Sequence, residues 1–105
     1  MTWPVAFLLT QAVEAPIYLF AGRALPPARR WLMALGASAL THPVVWFAFP
    51  WSTSSWWGCF LAAETFAVLA EGFLGKMMGL PRPWVWSLAA NAASVVVGLM
   101  IQAWG

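Results

Sequence analysis

Apolar positions fill four long stretches of the chain, roughly 4–22, 31–49, 56–75 and 84–104. Short segments rich in Pro, Ser, Gly or charge separate them: "RALPPARR", "PWSTSS" and "KMMGLPRP". Within each stretch the apolar residues are continuous rather than alternating, which predicts helices and excludes the pattern of a transmembrane β-barrel. Each stretch is about 20 residues long, enough for a helix to cross a hydrocarbon core about 30 Å thick. The expected fold is all-α, a polytopic membrane protein built as a four-transmembrane-helix bundle. Residues 1–105 would form one integral membrane domain, with no soluble domain beside it.

Composition removes the alternatives. With 63% hydrophobic and 8% charged residues, the chain lies far from soluble domains, where about 25% of residues are charged. A small soluble domain leaves much of its surface exposed and could not hide this much apolar area. Five Lys/Arg against three acids are too slight an excess to point to nucleic acid. The single cysteine, Cys59, excludes an internal disulfide and a thiolate metal cluster. No cleavable signal peptide is expected, because no basic residue precedes the first stretch and Glu14 interrupts it.

The charges orient the bundle. Arg23, Arg29 and Arg30 lie in the first connection and Lys76 and Arg82 in the third, with none in the second or at either end. The positive-inside rule then makes connections 1 and 3 cytoplasmic and both termini external (N-out/C-out), in a bacterial inner membrane. Trp3, Trp51, Trp56, Trp57 and Trp104 fit an outer interfacial belt, and Trp31, Trp84 and Trp86 an inner one.

Against this apolar background the few polar residues stand out. Glu14 lies nine residues from Arg23, His42 twelve from Arg30, Glu64 twelve from Lys76 and Asn91 nine from Arg82. At about 1.5 Å per residue all four fall about 13–18 Å deep, near the bilayer midplane. Glu71, five residues from Lys76, is shallower and could equally reach the interface beside Lys76 or Arg82. Helical spacing puts Gln11, Glu14 and Tyr18 on one stripe, Ser38 and His42 on another, and Glu64 and Glu71 on a third. Ser87, Asn91, Ser94 and Gly98 stripe the last helix, where small residues favour close helix approach. Pro16 and Pro43 would each free a carbonyl, of Ala12 and Ala39, beside these polar positions. The same prolines can also simply bend their helices.

Two resemblances follow from these residues. In length, in its four spans and in a mid-helix acid, Glu14, the chain resembles the small multidrug resistance transporters. In that family this glutamate binds protons and cationic substrates in a dimer. Pro16, His42, Glu64 and Glu71 depart from its pattern, and the one-sided basic residues oppose the dual insertion of some members. The segments "LTHPVVWF", "AETFAVLAEG" and "SLAANAASVVVG" are similar to a set of uncharacterised small four-helix bacterial inner-membrane proteins, a similarity that implies no activity.

Ionisable residues inside a membrane are functional by default, whereas interhelical glue is their competing role. The expected function is therefore binding or transporting a cation, a proton or a divalent metal, at a midplane site. Glu14, His42, Glu64 and Glu71 would bind the ion or proton, supported by Gln11, Tyr18, Asn91 and Ser94. If the ion is a metal, Glu14, His42 and Glu64 would ligate it, and this donor set suits Zn, Mn or Fe better than copper. Four helices hardly enclose a pathway, so a homo-oligomer or a larger membrane complex is expected, with the lipid bilayer as surroundings and no nucleic acid. Two alternatives remain: a non-catalytic subunit or assembly factor, and a membrane-embedded enzyme acting on a lipid or isoprenoid. No phosphate loop, paired-histidine zinc helix, nucleophile elbow or aspartate-rich motif speaks for an enzyme.

Overall fold

The computed structural model describes residues 2–52 and 55–104; Thr53 and Ser54, in the middle of the predicted second connection, lie outside the described residues. Four helices account for most of the chain: α1 Trp3–Ala21, α2 Pro27–Phe47, α3 Trp56–Met78 and α4 Pro83–Trp104. Each packs against its sequence neighbours, and α1 also packs against α4, so the helices form a closed ring with α1 facing α3 across its centre.

Local chemistry sets the ends. Pro26 and Pro27 open α2, since proline in a first turn lacks only an N–H that would have no helical partner. The helix therefore takes in Arg29 and Arg30, which sequence spacing places in a connection. Gly79 closes α3 with φ +82°, a left-handed conformation glycine adopts without a Cβ penalty. Behind it, the Leu80 N–H donates to the Gly75 carbonyl at 2.8 Å and turns the Leu80 side chain into the core.

The inner faces are made of small residues. On α3, Cys59, Ala63, Ala67, Glu71 and Gly75 recur at every fourth position and are all buried. On α2, Met33, Ala34, Ala37, Ser38 and Thr41 do the same with helical spacing. Large apolar side chains point outward instead, Leu8, Phe20, Leu61, Phe73, Leu88 and Met100 among them. A water-soluble bundle would bury these, whereas a bundle in lipid associates through small residues that let backbones approach. Helices α1, α3 and α4 are long and apolar enough to cross a membrane.

The antiparallel ring gathers the five basic residues at one end. Arg23 follows α1, Arg29 and Arg30 stand in the first turn of α2, Lys76 in the last turn of α3, and Arg82 precedes α4. Arg30 Nε donates to the Leu19 carbonyl at 3.1 Å and Arg23 Nη1 to that of Phe20 at 2.9 Å. Two guanidinium groups thus satisfy carbonyls at the C-terminus of α1, where the helix dipole favours positive charge.

This basic end is densely packed. Tyr18, Ala21, Met33, Ala34, Ala37, Leu80 and Ala90 form its buried core. A Cβ on Gly72 would stand 2.6 Å from Cζ3 of Trp84, and one on Gly75 3.1 Å from Cβ of Pro83. The close approach expected along the α4 stripe thus falls at its Ser87 end. Gly98 does not share it: a Cβ there would meet nothing within 4 Å.

Candidate functional site

Each helix sends one polar side chain to a common point, and the residue at that point is Glu71. Tyr18 Oη of α1 donates to Glu71 Oε1 at 2.7 Å, and Asn91 Nδ2 of α4 donates to the same oxygen at 3.2 Å. Thr41 Oγ1 of α2 lies 2.7 Å from Oε2. Tyr18 is fully buried and Glu71 is 1% exposed, so this hub lies inside the bundle. Glu71 does not reach the interface near Lys76 or Arg82. The α3 stripe that carries it faces the ring centre, and three neutral donors fix it there.

The other members of the hub are themselves anchored. Asn91 Nδ2 also donates to the Ser87 carbonyl at 2.9 Å, and Thr41 Oγ1 lies 3.1 Å from the Ala37 carbonyl. Ser87 Oγ donates to the Val68 carbonyl at 2.7 Å and stitches α4 to α3 beside the hub.

Beyond the hub, away from the basic end, the helices line a partly open cavity of about 230 Å³. Glu14, His42, Glu64, Glu71, Asn91 and Ser94 all line it, together with apolar side chains such as Leu9, Val45 and Phe60. Glu14 is 2% exposed; its Oε2 accepts from Ser94 Oγ at 2.6 Å, its Oε1 meets no donor among the described residues, and the Glu71 carboxyl lies within hydrogen-bonding reach of it. Glu71 and Glu64 are near enough to interact electrostatically with it. Glu64 is half-buried on the α3 wall, two turns from Glu71 along the same stripe.

His42 is held differently. Its ring lies among Trp46, Phe7 and Trp3, with centroids 6.1, 5.7 and 6.4 Å away, and its Nδ1 has no partner among the described residues. Aromatic packing therefore positions His42, and carboxylates do not. Glu14, His42 and Glu64 share the cavity, yet among the described residues no three His, Cys, Asp or Glu side chains form a group that could hold a metal ion. Gln11 stands outside the cavity, donating from Nε2 to the Leu35 carbonyl across the α1–α2 seam at 2.9 Å.

Thr41 is the hub member that sequence spacing missed. It carries no charge and sits beside the more conspicuous His42. The signal was there, since Thr41 falls four residues after Ala37 and three after Ser38, on the buried face of α2.

In comparisons with family models, curated proteins and solved structures, nothing matches this chain. Its site is therefore interpreted from its own geometry.

Proposed function

We propose that this is a small integral membrane protein whose partly open acidic cavity binds and moves a cation, with Glu14 as the residue that takes it up. The observation that carries this reading is the Glu14 carboxyl, 2% exposed on the cavity, whose Oε1 meets no donor among the described residues and which lies within hydrogen-bonding reach of a second buried carboxyl, Glu71. Buried polar atoms almost always have partners, and a buried carboxylate without one calls for positive charge. Glu64 and His42 on the same walls add two more groups able to bind or pass a proton. The scattered placement of these donors favours a proton over a divalent metal, which needs several ligands at one point.

In this reading α2 crosses the bilayer with the other three helices. It is flanked in the ring by α1 and α3, and it turns Leu32, Leu35, Leu40 and Phe47 outward as they turn theirs. Its hydropathy is lowered by inward-facing Ser38, Thr41 and His42 and by Arg29 and Arg30 at its end. The basic end is cytoplasmic and both termini are external, as expected for a bacterial inner membrane. A homo-oligomer or larger complex remains part of the proposal.

Glu14→Gln in proteoliposomes tests it. The amide keeps the Ser94 contact and the shape but cannot titrate, so the melting temperature should stay near wild type while proton uptake and release are lost. Unchanged proton movement in both Glu14→Gln and Glu64→Gln would refute the cation function.

One observation favours a second reading, that of a non-catalytic subunit of a membrane complex. The Glu71 hub has a neutral donor from each of the other three helices, which is what interhelical glue requires. A partner protein purifying in fixed stoichiometry, together with intact proton behaviour in the glutamate variants, would favour it.

A further inference from the structure

The cavity and the core divide the bundle lengthwise, which bears on how a cation could reach Glu14. The cavity rises from Glu71 and Asn91 to Phe60 on α3 and to the exposed Gln102 on α4, all on the side away from the five basic residues. On the basic side of the hub, Tyr18, Met33, Ala37 and Ala90 are fully buried in one packed core. We propose that the cavity is a water-filled vestibule that carries protons to Glu14 from the end opposite the basic residues and is closed toward them at the Glu71 hub.

Two independent features point to water in this space. Its volume, about 230 Å³, has room for on the order of ten water molecules. Its walls also carry the polar side chains of Glu14, His42, Glu64, Glu71, Asn91 and Ser94. Water is retained where a cavity is both roomy and polar, and irregular polar surface at membrane depth persists where it meets water or protein. The titratable groups that face the vestibule are Glu14 from α1, His42 from α2, and Glu64 and Glu71 from α3, with Tyr18 behind Glu71 on the core side; α4 contributes only neutral polar groups, Asn91, Ser94 and Gln102. A hydronium ion in this water gives its proton to the carboxylate of Glu14 and is left as water, and release runs the same transfer backward.

The inference rests on the proton reading of the cavity but is separable from it by experiment. In a Cys59→Ser background, Gly98→Cys places a thiol on the cavity wall where nothing lies within 4 Å, and Leu88→Cys places one on the outward apolar face of the same helix. Both are challenged, in vesicles of known orientation, with a charged, membrane-impermeant thiol reagent. The Gly98→Cys protein should react only when the reagent is added opposite the basic end, and Leu88→Cys from neither side. Reaction from the basic side, or Gly98→Cys as inert as Leu88→Cys, overturns the vestibule.

A measurement on the unsubstituted cavity guards against misfolded variants. The infrared carbonyl band of protonated Glu14, assigned by its loss in Glu14→Gln, should shift promptly on transfer to heavy water; a band that exchanges only on unfolding overturns the proposal. If the thiol reacts as expected while Glu14→Gln moves protons like wild type, the vestibule stands and the proton function falls. If Glu14→Gln abolishes proton movement while the Gly98→Cys thiol stays inert, the function stands and this route is wrong.

Discussion

At the basic end, Gly72 and Gly75 bring α3 hard against Trp84 and Pro83, and a dry core of Tyr18, Met33 and alanines fills the ring. At the opposite end, Gly98 faces open space and the walls carry Glu14, His42 and Glu64 around a cavity. The same four helices build both ends, so helix propensity cannot be the cause of the difference. The cause is the size and polarity of the side chains turned inward. Small apolar residues let helices close on one another. Carboxyl groups with too few protein donors hold them apart or hold water between them. One half of the bundle is thus closely packed and the other open, and the Glu71 hub marks the boundary between them.

The largest effect is expected at that boundary. Glu71→Ala removes the acceptor of Tyr18 Oη, which is fully buried, and takes one partner each from Thr41 and Asn91. An orphaned buried donor plus two lost hydrogen bonds should cost roughly 3 kcal/mol. Glu71→Gln should cost less than about 1 kcal/mol. Its amide oxygen can accept from Tyr18 and Asn91, and its NH2 can donate to Thr41 Oγ1, which passes its own proton to the Ala37 carbonyl. Thermal melts of the two variants in one detergent give the comparison. Equal losses in both would mean that the carboxyl charge, and not its hydrogen bonding, holds the helices together.

Next comes the dense half. Gly72→Ala drives a methyl group into the body of the Trp84 indole, whose Cζ3 would lie 2.6 Å away. The ring is rigid and is itself set edge-on against Phe73, with centroids 5.8 Å apart. Overpacking of this kind should destabilise by about 1–3 kcal/mol despite the better helix propensity of alanine. A melting temperature at or above wild type would show that α3 and α4 are not in close contact at the basic end.

How far the sequence disclosed this division can be followed residue by residue. The helices were legible, because continuous apolar runs of about 20 residues allow little else. Their ends were less so: Arg29, Arg30 and Lys76 look like connection residues, yet Pro27 at a first turn and Gly79 as a left-handed cap extend α2 and α3 past them. Depth along each helix placed Glu14, His42, Glu64 and Asn91 at one level, and all four do line one cavity. Depth could not reveal which carboxyl would take the donors. Glu71 and Glu64 lie on the same stripe of α3, and the choice between them falls to Tyr18 and Thr41, whose reach depends on how α1 and α2 are rotated in the ring. That rotation is a tertiary property. Gly98 was obscured for the same reason, since a small residue on an inward stripe signals close packing only where a neighbour comes near.

The smallest effect, and the one of opposite sign, belongs to Gly98. Alanine is a better helix former than glycine by about 1 kcal/mol in a helix interior, because glycine loses more backbone entropy on ordering. At Gly72 that gain is overwhelmed by the indole. At Gly98 the new Cβ meets nothing within 4 Å, so no contact opposes it. Gly98→Ala should therefore raise stability slightly, by up to about 1 kcal/mol. The methyl group would occupy only a small part of a cavity of about 230 Å³, so proton behaviour should be unchanged. Gly98→Leu extends the test, because a larger side chain can be accommodated in the open half while reducing the space for water. It should keep a melting temperature near wild type and slow proton access to Glu14. A clear loss of stability in Gly98→Ala would show that α4 packs tightly along its whole length, in this chain or against a second copy, and the contrast between the two halves would then be lost.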